Sequence, residues 1–303
     1  GPVRQVLRVR RQVGRSVLTQ DYVLEGRSPL LQIQTIAHWQ ETHVLLKAAF
    51  PLADEPDLAT YEIPCGAIVR PTRPQTATEQ AKWEVPALRW ADLAARLIAE
   101  PGSVSGSISG SMPGSIDPAS PIDPTPTEVA AWGVSILTTG PHGFDARPGQ
   151  LRLSLLRSPR WPDPASDRGQ WAFTYAIYPH LGGWQGAHTV QRAAELQSPL
   201  QARLLTPPAI AASQPQPARS TLLQLACDSA QLMALTRHPQ QADRWLVRSY
   251  ESAGRSGPLQ VISDLPIKGG DRVDLLGQPL AAAQQTKAIE PWQIACLELD
   301  RLI

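Results

Sequence analysis

Hydrophobic and polar positions alternate with a period of two along most of this chain. Across 3–13, Val3, Leu7 and Val9 oppose Arg4, Arg8 and Arg10. In LLQIQTIAHW, residues 30–39, Leu31, Ile33, Thr35, Ala37 and Trp39 share a face. Leu151, Leu153 and Leu155 oppose Arg152 and Ser154, and Trp171, Phe173, Tyr175 and Ile177 share another face. A strand turns successive side chains to opposite sides, so this pattern predicts half-buried strands and places Trp171 in the interior. Many such runs, separated by Gly, Pro and Asp turns, predict a mainly β protein: a large antiparallel β-sandwich. The regular strand–helix–strand rhythm of a doubly wound fold or a TIM barrel is missing. Helical spacing is found twice, in 89–99 through Trp90, Leu93, Ala94 and Leu97, and in 187–197 through Ala187, Val190, Ala194 and Leu196.

Two stretches interrupt the pattern. Residues 101–127 are almost all Gly, Ser, Pro and other small residues, too poor in apolar area to offset the entropy of ordering, and are expected to form a disordered insertion. Residues 206–220 (TPPAIAASQPQPARS) have the composition of a linker. Beyond it, 221–235, 244–251, 258–264 and 292–299 are strand-like. The expected organisation is a large sandwich over 1–205, a linker over 206–220 and a smaller C-terminal β-domain over 221–303.

Composition narrows the function classes. The chain has 303 residues and a net charge of +1, so no basic footprint points to nucleic acid. The longest apolar runs fall short of the roughly 20 residues that span a bilayer. Cys65, Cys227 and Cys296 are widely spaced, which fits neither a zinc ribbon nor a disulfide framework and suits a reducing, cytoplasmic compartment; Cys65 reads as a core residue. The opening GPVRQVLRVRRQ has no initiator Met and lacks the apolar centre of a signal peptide, which reads as a chain cut from something longer. Nine tryptophans suit a core, or flat platforms for sugar rings.

Four stretches then matter together: ATYEIPCGAIVRPT (59–72), KWEVPALRWADL (82–93), GFDARPGQLRLSLLRSPRWPDPASDRG (143–169) and YAIYPHLGGW (175–184). With TIAHWQETHVLLKAAFPL before them and RWLVRSYESAG and PWQIACLEL after, the sequence resembles the C-terminal half of glycoside hydrolase family 38, the α-mannosidases. The resemblance covers nearly the whole chain except the insertion at 101–127. It implies sandwich domains, the first of galactose mutarotase-like type, packed on a catalytic barrel and a helical bundle. It also implies retaining exo-action on α-mannosides by an Asp nucleophile and a second carboxylic acid. A zinc ion would bind hydroxyls of the terminal sugar. The family's zinc-ligand and nucleophile segments match no stretch here. The expectation is therefore a non-catalytic half that binds no cofactor, contributes no catalytic residue and no metal ligand, and does not hydrolyse mannosides alone. Its partners would be the α-mannoside and the barrel of the same enzyme; a homo-oligomer stays open.

Individual residues leave alternatives open. His38 and His43 fall on opposite faces at a strand end and form no metal motif. Asp163 and Asp167 in PDPASDRG suit turn chemistry, the substrate rim or a carboxylate pair. The resemblance makes Arg168, then Asp145, candidates for contact at the rim of the sugar site, with Arg157 and Asp163 beside them. The alternative for Arg168 and Asp145 is a salt bridge between loops or domains. Arg70 and Arg73 each precede a proline that restricts the backbone toward extended geometry. They are candidate anchors to neighbouring protein, with Glu79 and Glu84 as possible local partners. A stand-alone carbohydrate-binding module would show an exposed row of aromatics, with Trp161, Trp171 and Trp184 the ones to inspect. An inactive fragment of a split gene would show lost family positions, such as Gly277.

Overall fold

The computed structural model describes residues 1–96, 130–204, 220–267 and 269–300. The insertion at 101–127 and the linker at 206–220, Ser220 apart, lie outside the described residues. The chain divides into two compact units, one of Gly1–Tyr61 and Val69–Thr189, the other of Glu62–Ile68 and Val190–Ile303.

Twelve strands run through the first part of the chain: β1 (Arg4–Val13), β2 (Ser16–Glu25), β3 (Leu31–Trp39), β4 (Leu46–Pro51), β5 (Leu58–Ile63), β6 (Gly66–Pro71), β7 (Val85–Pro86), β8 (Trp90–Arg96), β9 (Ala130–Thr138), β10 (Gly143–Arg147), β11 (Gln150–Leu156) and β12 (Gly169–Leu181). They form an eight-stranded sheet in the order β1-β2-β3-β12-β9-β8-β5-β6 and a four-stranded sheet in the order β4-β11-β10-β7. The pairings β1–β2, β2–β3, β3–β12, β12–β9, β9–β8 and β8–β5 are antiparallel, as are those of the smaller sheet. The two sheets meet as a sandwich. Leu18, Ala37 and Trp39 of the larger pack against Leu156 and Leu46 of the smaller, and the rings of Phe50 and Tyr175 lie 6.3 Å apart. Alternation does the sorting: Leu151 and Leu153 are buried while Arg152 and Ser154 are only partly so. Each such Leu contributes about 1.5–3 kcal/mol by leaving water. A single turn of helix, α1 (Ala77–Gln80), is held by a capping box between Thr76 and Glu79.

The second helix, α2 (Thr189–Gln197), agrees with the spacing read over 187–197. The remaining strands are β13 (Gln224–Leu225), β14 (Ala230–Arg237), β15 (Arg244–Glu251), β16 (Gly257–Pro258), β17 (Val261–Ile262), β18 (Gly269–Val273), β19 (Ala288–Ile289) and β20 (Ile294–Asp300). Their main sheet runs β14-β15-β20-β18. Its core gathers Cys227, Val247, Leu259, Ile289, Leu297 and Leu299. The buried carboxylate of Glu251 accepts backbone N–H bonds from Ala253 and Gly254 at 2.8 Å and from Trp292 at 3.0 Å, which fixes the corner after β15.

Three expectations are corrected. The helix over 89–99 is strand β8 where it is described. It lies between β9 and β5 with Trp90, Ala91, Asp92, Leu93 and Ala95 all buried, so both faces are covered and the period of two vanishes. Trp171 is 43% exposed, and its neighbours Gln170 and Ala172 at the start of β12 are exposed too. Cys65 is only half-buried, in a left-handed conformation at the turn between β5 and β6.

Candidate functional site

The loop between β11 and β12, residues 157–168, is stiff for reasons visible in its sequence. Pro159, Pro162 and Pro164 fix three backbone angles. One carboxylate oxygen of Asp167 accepts from the backbone N–H of Arg157 at 2.8 Å and of Ser158 at 2.7 Å, which ties the two ends of the loop together. Asp163 accepts from the N–H of Ala165 at 2.8 Å and closes an inner turn. The indole N–H of Trp171 donates to the Asp167 carbonyl at 2.8 Å.

The base of the loop is sunk in the sandwich. Ser158 is buried, its hydroxyl accepts from the indole N–H of Trp39, and its carbonyl accepts from the His43 N–H at 2.8 Å. Arg168 reaches back to the same β3–β4 connection and donates to the Thr42 hydroxyl at 2.6 Å. What remains outside is a pinned display: Arg157, Arg160, Arg168 and Trp161, the last 84% exposed. Guanidinium groups supply planar, multi-donor hydrogen bonding suited to carboxylates and vicinal hydroxyls. Because the backbone is already ordered, contact costs little further entropy.

The structure therefore brings Arg157, Asp163 and Arg168 together on one loop and places Asp145 elsewhere. Asp145 stands on β10, only 5% exposed, and its carboxylate is shared between the Lys47 ammonium and the Arg152 guanidinium, with Arg152 Nε donating at 2.6 Å. Glu84 lies 3.8 Å from Lys47. Asp163 and Asp167 cap different stretches of backbone. Arg73 is exposed and paired with Glu55 at 2.5 Å and Asp57 at 3.4 Å, and these carboxylates, Glu55 first, hold its guanidinium above its ordinary pKa. Its partners thus lie upstream. Glu79 closes the α1 cap and Glu84 faces Lys47. Arg70, on the edge strand β6, is half-buried, and its Nε is enclosed without a hydrogen-bond partner. Tyr61 is buried, and loss of solvent, then the nearby Asp145 charge, push its phenol well above the usual value.

Sequence reasoning missed one cluster. The Asp92 carboxylate accepts from the Ser135 hydroxyl and faces His180 Nε2, both at 2.8 Å, and Ser135 lies 3.0 Å from the Thr189 hydroxyl. Serine, histidine and aspartate together suggest nucleophilic chemistry, but all three side chains are shut away from solvent. Ser135 and His180 also converge on the same carboxylate oxygen, where a relay would set the imidazole between hydroxyl and carboxylate. The cluster ties strands together. Among the described residues, no group of three or more His, Cys, Asp or Glu side chains could hold a metal ion, and His38 and His43 are exposed.

Comparison with known proteins gives a consistent picture. Residues 1–98 and 127–165 match "Glycosyl hydrolases family 38 C-terminal domain", and 229–297 match "Glycosyl hydrolases family 38 C-terminal beta sandwich domain". The chain is 30% identical over 274 residues to "Alpha-mannosidase 2C1" of Homo sapiens, covering 89% of this chain and 22% of that protein. It is 27% identical to "Alpha-mannosidase" of Saccharomyces cerevisiae, covering 80% and 20%. The crystal structure of an alpha-mannosidase from Enterococcus faecalis superposes with a TM-score of 0.71 at 16% identity, over 93% of this chain and 29% of that one. The chain thus spans about a fifth of the length of the curated relatives it matches.

Proposed function

The chain belongs to glycosyl hydrolase family 38, of which it carries the C-terminal domains, and from that premise we propose that it is the non-catalytic half of a retaining, zinc-dependent exo-α-mannosidase. In this reading it supports a catalytic barrel that supplies the nucleophile, the acid and the zinc ion, and it works in the cytoplasm. The observation that carries the reading is the pinned 157–168 loop, which holds Arg157 and Arg168 where a sugar's hydroxyls can be met without reordering the backbone. These groups bind and orient the substrate; they move no proton. The exposed apolar side chains of Val3, Val6, Leu7 and Leu24, on and beside the β1–β2 hairpin, suit contact with a barrel. Among the described residues no helix is long and apolar enough to cross a membrane.

The test is a paired assay on a chromogenic α-mannoside. An enzyme comprising a barrel and this chain should hydrolyse it, and the 303-residue chain alone should not. In the whole enzyme, Arg168→Ala should lower kcat/KM by about 10-fold or more, the worth of a hydrogen bond from a charged donor, while the lost bond to the Thr42 hydroxyl lowers Tm only slightly. Activity of the chain alone would overturn the division of labour, and an unaltered kcat/KM would remove Arg168 from the rim.

A second reading, a stand-alone carbohydrate-binding module, draws on the exposed Trp161 and Trp171. It is weakened by Trp184, the third of the row, which is buried with its ring 4.8 Å from that of Trp90. Millimolar or tighter binding of mannose by the chain alone would favour it.

A further inference from the structure

The outer face of the eight-stranded sheet carries a groove. Along β3, Gln34 and Ile36 alternate with the buried Ile33, Thr35 and Ala37, so they face away from the smaller sheet. The antiparallel register sets Arg8, Asp21, Gln34 and Thr174 in one row across β1, β2, β3 and β12. Beside it runs a second row of Thr19, Ile36 and Ala172. These side chains line a cavity of about 370 Å³, and all of them belong to the first compact unit.

The groove has fixed walls and open hydrogen-bonding groups. Arg8 gives Nε and Nη2 to the two oxygens of Asp21, at 2.6 and 2.7 Å, which fixes the guanidinium. These hydrogen bonds hold the Asp21 carboxyl below its ordinary pKa, so the pair stays ionised and adds no net charge. The Thr139 hydroxyl donates to the Thr174 carbonyl at 3.1 Å and accepts from the Thr174 N–H at 3.2 Å, which closes the far end of the row. Among the described residues, Arg8 Nη1, the Gln34 amide and the hydroxyls of Thr19 and Thr174 make no hydrogen bond. Ile36 is 43% exposed and, with the exposed Ala172, sets an apolar patch among them. Apolar surface with a few placed donors and acceptors is the make-up of a small-ligand site.

We propose that this groove binds a neutral saccharide of two pyranose rings. Guanidinium, amide and hydroxyl groups together match the mixed donors and acceptors of vicinal sugar hydroxyls, and Ile36 and Ala172 meet the apolar C–H face of a ring. The mutually paired charges of Arg8 and Asp21 favour a neutral polyol over an anion. Neighbouring strands lie about 4.8 Å apart, comparable to one pyranose, so a row across four strands is longer than a single ring. That the rings are α-mannosyl rests on the function proposed above; the polyol site itself does not.

The experiment titrates the 303-residue chain with an α-linked mannobiose and follows its methyl resonances by NMR. The Ile36 and Ala172 methyls should shift together with a Kd of about 1–5 mM, and mannose, which reaches only part of the row, should bind at least about 10-fold more weakly. Gln34→Ala should weaken binding about 5-fold, and Ile36→Arg, which fills the groove, should abolish it. Trp161→Ala should leave the Kd unchanged. A response to cellobiose and none to mannobiose would support the saccharide site and overturn its tie to α-mannosides. Unmoved Ile36 and Ala172 methyls with both disaccharides, or binding lost in Trp161→Ala and kept in Ile36→Arg, would overturn the groove and leave the paired hydrolysis assay to judge the enzyme.

Discussion

Replacing Asp145 by Asn separates a tie within the sandwich from a contact with substrate. The substitution keeps shape and removes the charge that Lys47 and Arg152 share. Their side chains are 14% and 18% exposed, so water recovers little of the lost interaction. Breaking a buried pair costs about 3–5 kcal/mol. Two features lower that here: each cation keeps some contact with solvent, and Glu84 at 3.8 Å still faces Lys47. We expect a loss of about 2–3 kcal/mol, or a fall in Tm of about 5–10 °C for a unit of this size. Urea unfolding followed by tryptophan fluorescence should show a lower midpoint with an unchanged slope. Adding Lys47→Met removes a stranded cation and should recover part of the loss, giving a coupling term in a double-mutant cycle. A variant within about 0.5 kcal/mol of wild type would refute the ion-pair reasoning. If such a variant also raised KM in the whole enzyme, Asp145 would return to the substrate rim.

Three further outcomes follow from the geometry. Gly133→Ala sets a methyl 2.5 Å from His180 Cε1 and 3.2 Å from the Ala94 methyl, and should cost about 1–3 kcal/mol, read as a lowered urea midpoint. Gly277 has φ +86° and its Cβ would meet His238 Nε2 at 2.6 Å, so Gly277→Ala should destabilise by more than 1 kcal/mol, whereas a position merely lost from a family pattern would tolerate alanine. Burial pushes the Tyr175 phenol up to about 12, so its contribution to stability is complete below the ordinary value near 10 and is lost as pH rises toward 12; tyrosinate absorbance should lag behind that of the unfolded chain across that window.

What the sequence could show depended on how each strand is covered. β11 and β15 are legible because apolar residues concentrate between clear turn signals, and in β11 one face is wetter than the other. β8 is buried on both faces, so the spacing of Trp90, Leu93 and Ala94 imitates a helix. The loop residues Arg157, Asp163 and Arg168 come together because they are neighbours in sequence and the prolines between them limit the path. Asp145 was beyond such reasoning: its partner Lys47 is 98 residues away, and only the antiparallel register of β4, β11 and β10 delivers it. Likewise the prolines beside Arg73 gave its backbone, while its partners Glu55 and Asp57 lie before and at the entry to β5.

The Asp92–His180 contact shows why some tertiary ties leave no local motif at all. Asp92, Ser135 and His180 sit on β8, β9 and β12, which are neighbours in the sheet but far apart in sequence. The register sets Asp92 opposite Ser135 and His180 opposite Gly133, with Ala94 beyond Gly133. A side chain at 133 would fill the space between β12 and β8. Its absence lets the imidazole lie across β9 and reach a carboxylate two strands away. Gly133 is therefore needed for its missing Cβ and not for backbone freedom, a reason that local composition does not reveal. A glycine inside a strand pattern can mark a close approach, but its partner becomes identifiable only when the sheet order is known.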